Sequence, residues 1–121
     1  MTQEDKELLL KDLCARLPYN VKVLYNNEVF SIDYISAIYE EIKLDTSDNY
    51  TLNISEIKPY LFPLESMTDE QEKEYNDLNS YELGCFPHTE EALDYLIRNH
   101  FDYRSLIERG LAIDATGLNI Y

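Results

Sequence analysis

The sequence predicts an α+β fold: an N-terminal helix, a small antiparallel sheet of four or five strands curled towards an SH3-like or Sm-like barrel, and a C-terminal helical subdomain. Three observations carry that expectation. Apolar residues recur at helical spacing from Leu9 to Leu17, the period changes to two between Val21 and Ile54, and Thr68 and Thr89 open helical stripes in the second half. One domain over 1–121 is expected, with helix and sheet in 1–64 and the helical subdomain in 65–121.

Each element has a local cause. Thr2 as N-cap with Asp5 three residues on forms a variant capping box, Leu9, Leu10, Leu13, Cys14 and Leu17 supply the inward stripe, and Pro18 stops the helix. Val21, Val23 and Tyr25 alternate with Lys22 and Leu24, and Asn26-Asn27 makes a two-residue turn because Asn tolerates positive φ. A second strand follows from Glu28 to Ser36, a third around Ile42 and Leu44, and a fourth over Tyr50 to Ile54 beyond the polar turn Thr46-Ser47-Asp48-Asn49. Ser55 to Leu64 holds Pro59 and Pro63 around Tyr60, Leu61 and Phe62, which predicts an extended or single-turn connector closing the end of the sheet.

In the second half, Thr68 with Gln71 opens a solvent-facing helix from Asp69 to Leu83, its apolar stripe limited to Tyr75, Leu78 and Tyr81. Gly84 and Pro87 break the pattern. Thr89 caps a stronger helix with Leu93, Leu96 and Ile97 inward, and Asp102 caps a short one with Tyr103, Leu106 and Ile107 inward, ended by Gly110. The segment from Leu111 to Tyr121 is apolar enough to dock on the core.

Composition sets the bounds. The chain has 121 residues, Lys+Arg 10 against Asp+Glu 24, a net charge of -14 and 45% hydrophobic residues, as expected for one soluble acidic domain. A chain of this length buries roughly two thirds of its unfolded surface and needs no disulfide or structural metal. No apolar run approaches the roughly 18 residues of a membrane span, and Thr2-Gln3-Glu4-Asp5 is acidic where a signal peptide is basic, so the expected location is the cytoplasm of a bacterial host. Cys14 and Cys85, without CxxC spacing, fit unpaired thiols in a reducing compartment.

The acidity is uneven: residues 1–25 balance to zero, residues 26–64 carry seven acids against two bases, and residues 65–91 carry nine against Lys73 alone. No segment has the Lys and Arg excess that a phosphate backbone demands, so direct nucleic-acid binding is not expected.

The stretches Met1-Thr2-Gln3-Glu4-Asp5-Lys6-Glu7-Leu8-Leu9-Leu10, Asp12-Leu13-Cys14-Ala15-Arg16-Leu17-Pro18-Tyr19, Ile57-Lys58-Pro59-Tyr60-Leu61-Phe62-Pro63-Leu64 and Asn99-His100-Phe101-Asp102-Tyr103-Arg104 with Gly110-Leu111-Ala112 resemble a family of small hypothetical proteins of gut Bacteroides-type bacteria and their prophages. That resemblance implies an intracellular, phage-associated setting and no established activity.

Chemistry-bearing patterns are sparse. Cys85-Phe86-Pro87-His88 has the spacing of half a zinc site, but only Cys14 and His100 could complete it, and a plain loop is the simpler account. His100 with Asp102 could form an oriented base, yet a helix-capping Asp102 explains the pair without a nucleophile. Phosphate-cradling Gly loops, G-x-S-x-G and H-E-x-x-H do not occur. Neither cofactor nor metal is expected, and a small hydrolase or metal-dependent enzyme using His88 or His100 stands as an alternative only.

Two features point to a protein partner. Asp69, Glu70, Glu72, Glu74, Asp77 and Glu82 place about one carboxylate per turn along one helix, a rod that could imitate a nucleic-acid backbone and occupy the basic groove of a host nucleic-acid-binding protein, or simply keep the helix solvated. Eleven tyrosines with no tryptophan place Tyr34, Tyr39, Tyr50 and Tyr60 on strands or connectors, where they could form a binding face or mediate homo-oligomerisation, or pack as ordinary strand aromatics. The expected function is a non-enzymatic, acidic protein-binding module; a homo-oligomeric structural domain is the alternative.

Overall fold

A computed structural model describes residues 1–46, 51–79, 87 and 89–121. The elements run α1 (Gln3–Arg16), β1 (Lys22–Tyr25), β2 (Glu28–Ser36), β3 (Glu41–Leu44), β4 (Leu52–Asn53), β5 (Lys58–Pro63), α2 (Asp69–Leu78), α3 (Glu90–Arg98), β6 (Phe101–Asp102) and β7 (Ile113–Asp114). Single 3-10 turns cover Leu17–Tyr19, Ile54–Glu56 and Leu64–Ser66. The fold is therefore α+β, as expected from the sequence.

At the start of α1 the capping box is complete: Thr2 Oγ1 accepts the Asp5 N–H at 3.1 Å and Asp5 Oδ2 accepts the Thr2 N–H at 3.3 Å. Leu9 and Leu13 are buried, but Cys14, expected inward, is exposed. Asp12 and Arg16 are buried instead, because their mutual ion pair lets a polar face turn inward. In the β1–β2 hairpin, Asn26 and Asn27 both take positive φ (52° and 64°), the conformation that suits a two-residue turn to strand twist.

The sheet runs β4-β3-β2-β1-β5-β6, with β7 also paired to β5. β1 to β4 form the expected antiparallel meander, with an irregularity between Ile32 and Tyr34. The sheet has seven strands where four or five were expected, and two further expectations need correction. The stretch around Pro59 and Pro63 is not a connector but a central strand: β5 pairs antiparallel with β1 through Lys58 and Pro59, and parallel with β7 through Tyr60 and Leu61 and with β6 through Phe62 and Pro63. Its prolines sit second and last in the strand, where a missing N–H interrupts the ladder least. The sheet is also mixed and open, with β4 and β6 at the ends of the path, rather than a closed SH3-like or Sm-like barrel.

The C-terminal part is only partly helical. Residues 103–112 form turns instead of the expected short helix, since Asp102 spends both carboxylate oxygens on the N–H groups of Arg104, Leu106 and Ile107 and curls the chain tightly. The segment beyond Gly110 docks as expected: Leu111, Ala112 and Ala115 are buried and β7 lies along β5.

Two apolar clusters follow. The larger joins Leu9 and Leu13 to Val21, Val23, Ile42, Ile54 and Leu61, and includes Leu106, Leu111 and Ala112 from the other end of the chain. The smaller, made by Tyr75, Ala92, Tyr95, Leu96 and Phe101, holds α2 and α3 together.

Candidate functional site

α2 presents the acidic surface. Asp69, Glu70, Glu72, Glu74 and Asp77 are all exposed, while Tyr75 is the helix's buried residue. Its first turn is fixed by a capping box in which Thr68 Oγ1 accepts the Gln71 N–H at 3.1 Å and Gln71 Oε1 accepts the Thr68 N–H at 2.9 Å. Three acids in that turn complement the positive end of the helix dipole. The last turn is tied to α3, since Thr89 Oγ1 donates to the Leu78 carbonyl at 2.7 Å and then accepts the Ala92 N–H at 3.0 Å. Tyr95 on α3 donates its hydroxyl to Glu74 at 2.9 Å, and burial together with that carboxylate pushes the phenol up to about 12. The helix ends at Leu78 rather than Leu83, which makes it about 15 Å long; Glu82 and Tyr81 lie outside the described residues.

Among the described tyrosines of the set, two are exposed and one is buried. Tyr34 and Tyr39 are 47% and 71% exposed, and Ile38, in the turn between β2 and β3, is 88% exposed. That turn is anchored on both sides: the Tyr39 N–H donates to Ser36 Oγ at 3.4 Å, and Glu40, at φ 53°, accepts from Gln3 Nε2 at 2.8 Å. Tyr60 corrects the expectation, because as the middle of β5 it is buried and cannot join a binding face. Tyr50 lies outside the described residues.

The histidine reading resolves into geometry. His100 follows α3 in a left-handed conformation (φ 62°), and its N–H donates to the Ile97 carbonyl at 3.2 Å. Its ring is 7% exposed and stacks on Tyr121 with centroids 4.0 Å apart and planes 13° apart. Nδ1 has no hydrogen-bond partner. Burial, and secondarily the Arg16 guanidinium, push its pKa down to about 4, against a smaller opposing effect of a hydrogen bond with the Tyr19 backbone. His100 thus sits in a cleft with a perturbed pKa, but Asp102 is consumed by three backbone N–H groups and does not orient it.

The cleft has a volume of about 350 Å³ and is bordered by Phe62, Gln71, Arg98, Asn99, His100 and Tyr121. Tyr121 closes one side: its hydroxyl donates to the Tyr60 carbonyl at 2.7 Å and accepts the Lys22 N–H at 2.9 Å. Burial pushes its phenol up to about 12 against the opposing effect of the Lys22 hydrogen bond, while the residue as a whole stays 44% exposed. The sequence pointed to His100 alone among the cleft residues; Tyr121 reaches it only through the parallel docking of the last segment on β5.

Among the described residues, no three His, Cys, Asp or Glu side chains gather as a metal set, and no helix is long and apolar enough to cross a membrane. Cys85 and His88 lie outside those residues. No family model, no curated protein and no solved structure matches this chain.

Proposed function

We propose that the chain is a non-enzymatic, acidic protein-binding module that engages a basic, nucleic-acid-binding partner through α2, by charge mimicry. The observation that supports this reading is the division of α2 into an anchored side and a charged one: Tyr75, the Thr68 and Thr89 contacts and the Tyr95–Glu74 hydrogen bond hold the helix, and Asp69, Glu70, Glu72 and Asp77 are left in solvent. A rod held in place beforehand loses little entropy when a basic groove closes on it. A bacterial cytoplasm and a phage or prophage origin belong to the same proposal, and the exposed thiol of Cys14 suits a reducing compartment.

The test is affinity capture from a gut-bacterial lysate at low and high salt, comparing the native chain with the variant Glu70→Ser, Glu72→Ser, Glu74→Ser, Asp77→Ser. Capture of a basic nucleic-acid-handling protein, lost in salt and in the variant, is the expected result. Capture of nothing, or binding indifferent to both, sinks it. A second reading, homo-oligomerisation through the hairpin bearing Tyr34 and Tyr39, draws support from the exposed Ile38 beside them. It predicts a molecular mass above that of the monomer that salt barely changes.

A further inference from the structure

We propose that the cleft beside His100 binds a small, uncharged, planar heteroaromatic molecule of the nucleobase or nucleoside class. This stands apart from the α2 reading and rests on other residues. At about 350 Å³ the cleft falls within the usual range of small-molecule sites.

The first support is aromatic. Tyr121 and His100 already form a parallel two-ring stack at the cleft wall, with Phe62 tilted against Tyr121 at 5.8 Å. Tyr121 lines the cleft and remains 44% exposed as a residue, so a planar ligand entering there meets an aromatic wall.

The second is the orientation of two amides. Gln71 Oε1 is occupied by the Thr68 N–H, so Gln71 offers its Nε2 donors. Asn99 Nδ2 donates to the Tyr95 carbonyl at 2.8 Å, so Asn99 offers its Oδ1 acceptor. A donor and an acceptor held by independent backbone contacts complement a ring edge that carries both kinds of group, as nucleobases do. His100, with Nδ1 buried and unpartnered, borders the same cleft, and buried polar atoms left without partners recur at functional positions.

Charge selects the neutral form of the ligand. Arg98 is the charged residue bordering the cleft, but it lies in the last turn of α3, where the helix dipole is negative, on a chain of net charge -14. A nucleoside is therefore favoured over its phosphate ester.

The experiment is an NMR titration of ¹⁵N-labelled full chain with adenosine, guanosine, cytidine and uridine, with the matching monophosphates and inorganic phosphate as comparison. At least one nucleoside is expected to give saturable shifts at the Asn99, Thr116 and Gly117 amides, and its monophosphate to bind no more tightly. Gln71→Glu keeps an acceptor for the Thr68 N–H and removes the donor, so it is expected to weaken binding several-fold with the fold intact. Tyr121→Leu is expected to weaken it about tenfold. No saturable shift with any nucleoside up to about 10 mM, shifts produced equally by inorganic phosphate, or an unchanged affinity in Gln71→Glu would overturn the proposal.

Discussion

Arg16 Nε lies 2.8 Å from Asp12 Oδ2, one helical turn away, and both side chains are fully buried. The guanidinium also donates to the carbonyls of Phe101 at 2.5 Å and Leu96 at 3.5 Å, so a single side chain ties α1 to the end of α3 and to β6. Arg104 Nε approaches Asp12 Oδ1 at 3.3 Å without the alignment of a hydrogen bond, and its guanidinium lies 4.8 Å from the Tyr103 ring centroid. Such a cluster favours one packing of the helices, since either charge left alone inside is costly.

Removing one partner of this pair is expected to be severe. Asp12→Ala and Arg16→Met should each lose about 3 kcal/mol or more in urea denaturation. The double variant should lose less than the sum of the two by more than about 1 kcal/mol, because the orphaned charge is gone. Strict additivity would show that the two side chains act independently.

His100 makes stability depend on pH in a defined window. Its folded pKa of about 4 lies below the ordinary 6.5, so the unfolded chain binds the proton first. Stability is complete above about 6.5, falls as pH drops towards about 4, and changes no further below that as far as this residue is concerned. The full contribution is about 3 kcal/mol. His100→Asn, which tolerates the left-handed backbone, should flatten the stability profile between those limits relative to the native chain. Equal slopes in the two proteins would refute the assignment.

The turn Asn26-Asn27 is a local determinant. Asn27→Gly should leave stability unchanged or raise it by up to about 1 kcal/mol, and Asn27→Val should cost about 1–2 kcal/mol, since a β-branched residue resists positive φ. Thermal melts of the two variants check the order.

Replacing Glu70, Glu72, Glu74 and Asp77 by Ser together should change stability by no more than about 1 kcal/mol, most of it from the lost Tyr95 hydrogen bond at Glu74. In the same variant the Tyr95 phenol should titrate lower than about 12, because the carboxylate that raises it is removed. Alkaline absorbance titration reads both proteins directly. An unaltered midpoint would count against the contact.

Much of the fold was legible from neighbours in sequence. The capping boxes at Thr2 and Thr68, the Asn26-Asn27 turn and the strands β1 to β3 all rest on patterns a few residues long, and they appear where the residues placed them. The acidity of α2 was legible for the same reason. What local pattern could not disclose depended on distant partners. Pro59 and Pro63 speak against a strand until β1, β6 and β7 arrive to pair with the residues around them. Asp12 and Arg16 lie outside the stripe of Leu9, Leu10, Leu13, Cys14 and Leu17, and they go inside because each supplies the other's countercharge and Phe101 supplies an acceptor. His100 and Tyr121, twenty-one positions apart, become a stacked pair only because β7 docks in parallel on β5 and carries the chain back across it. Local conformational preference, acting over one turn of chain, determines the elements; long-range pairing and burial determine which polar groups go inside, and therefore where the cleft lies.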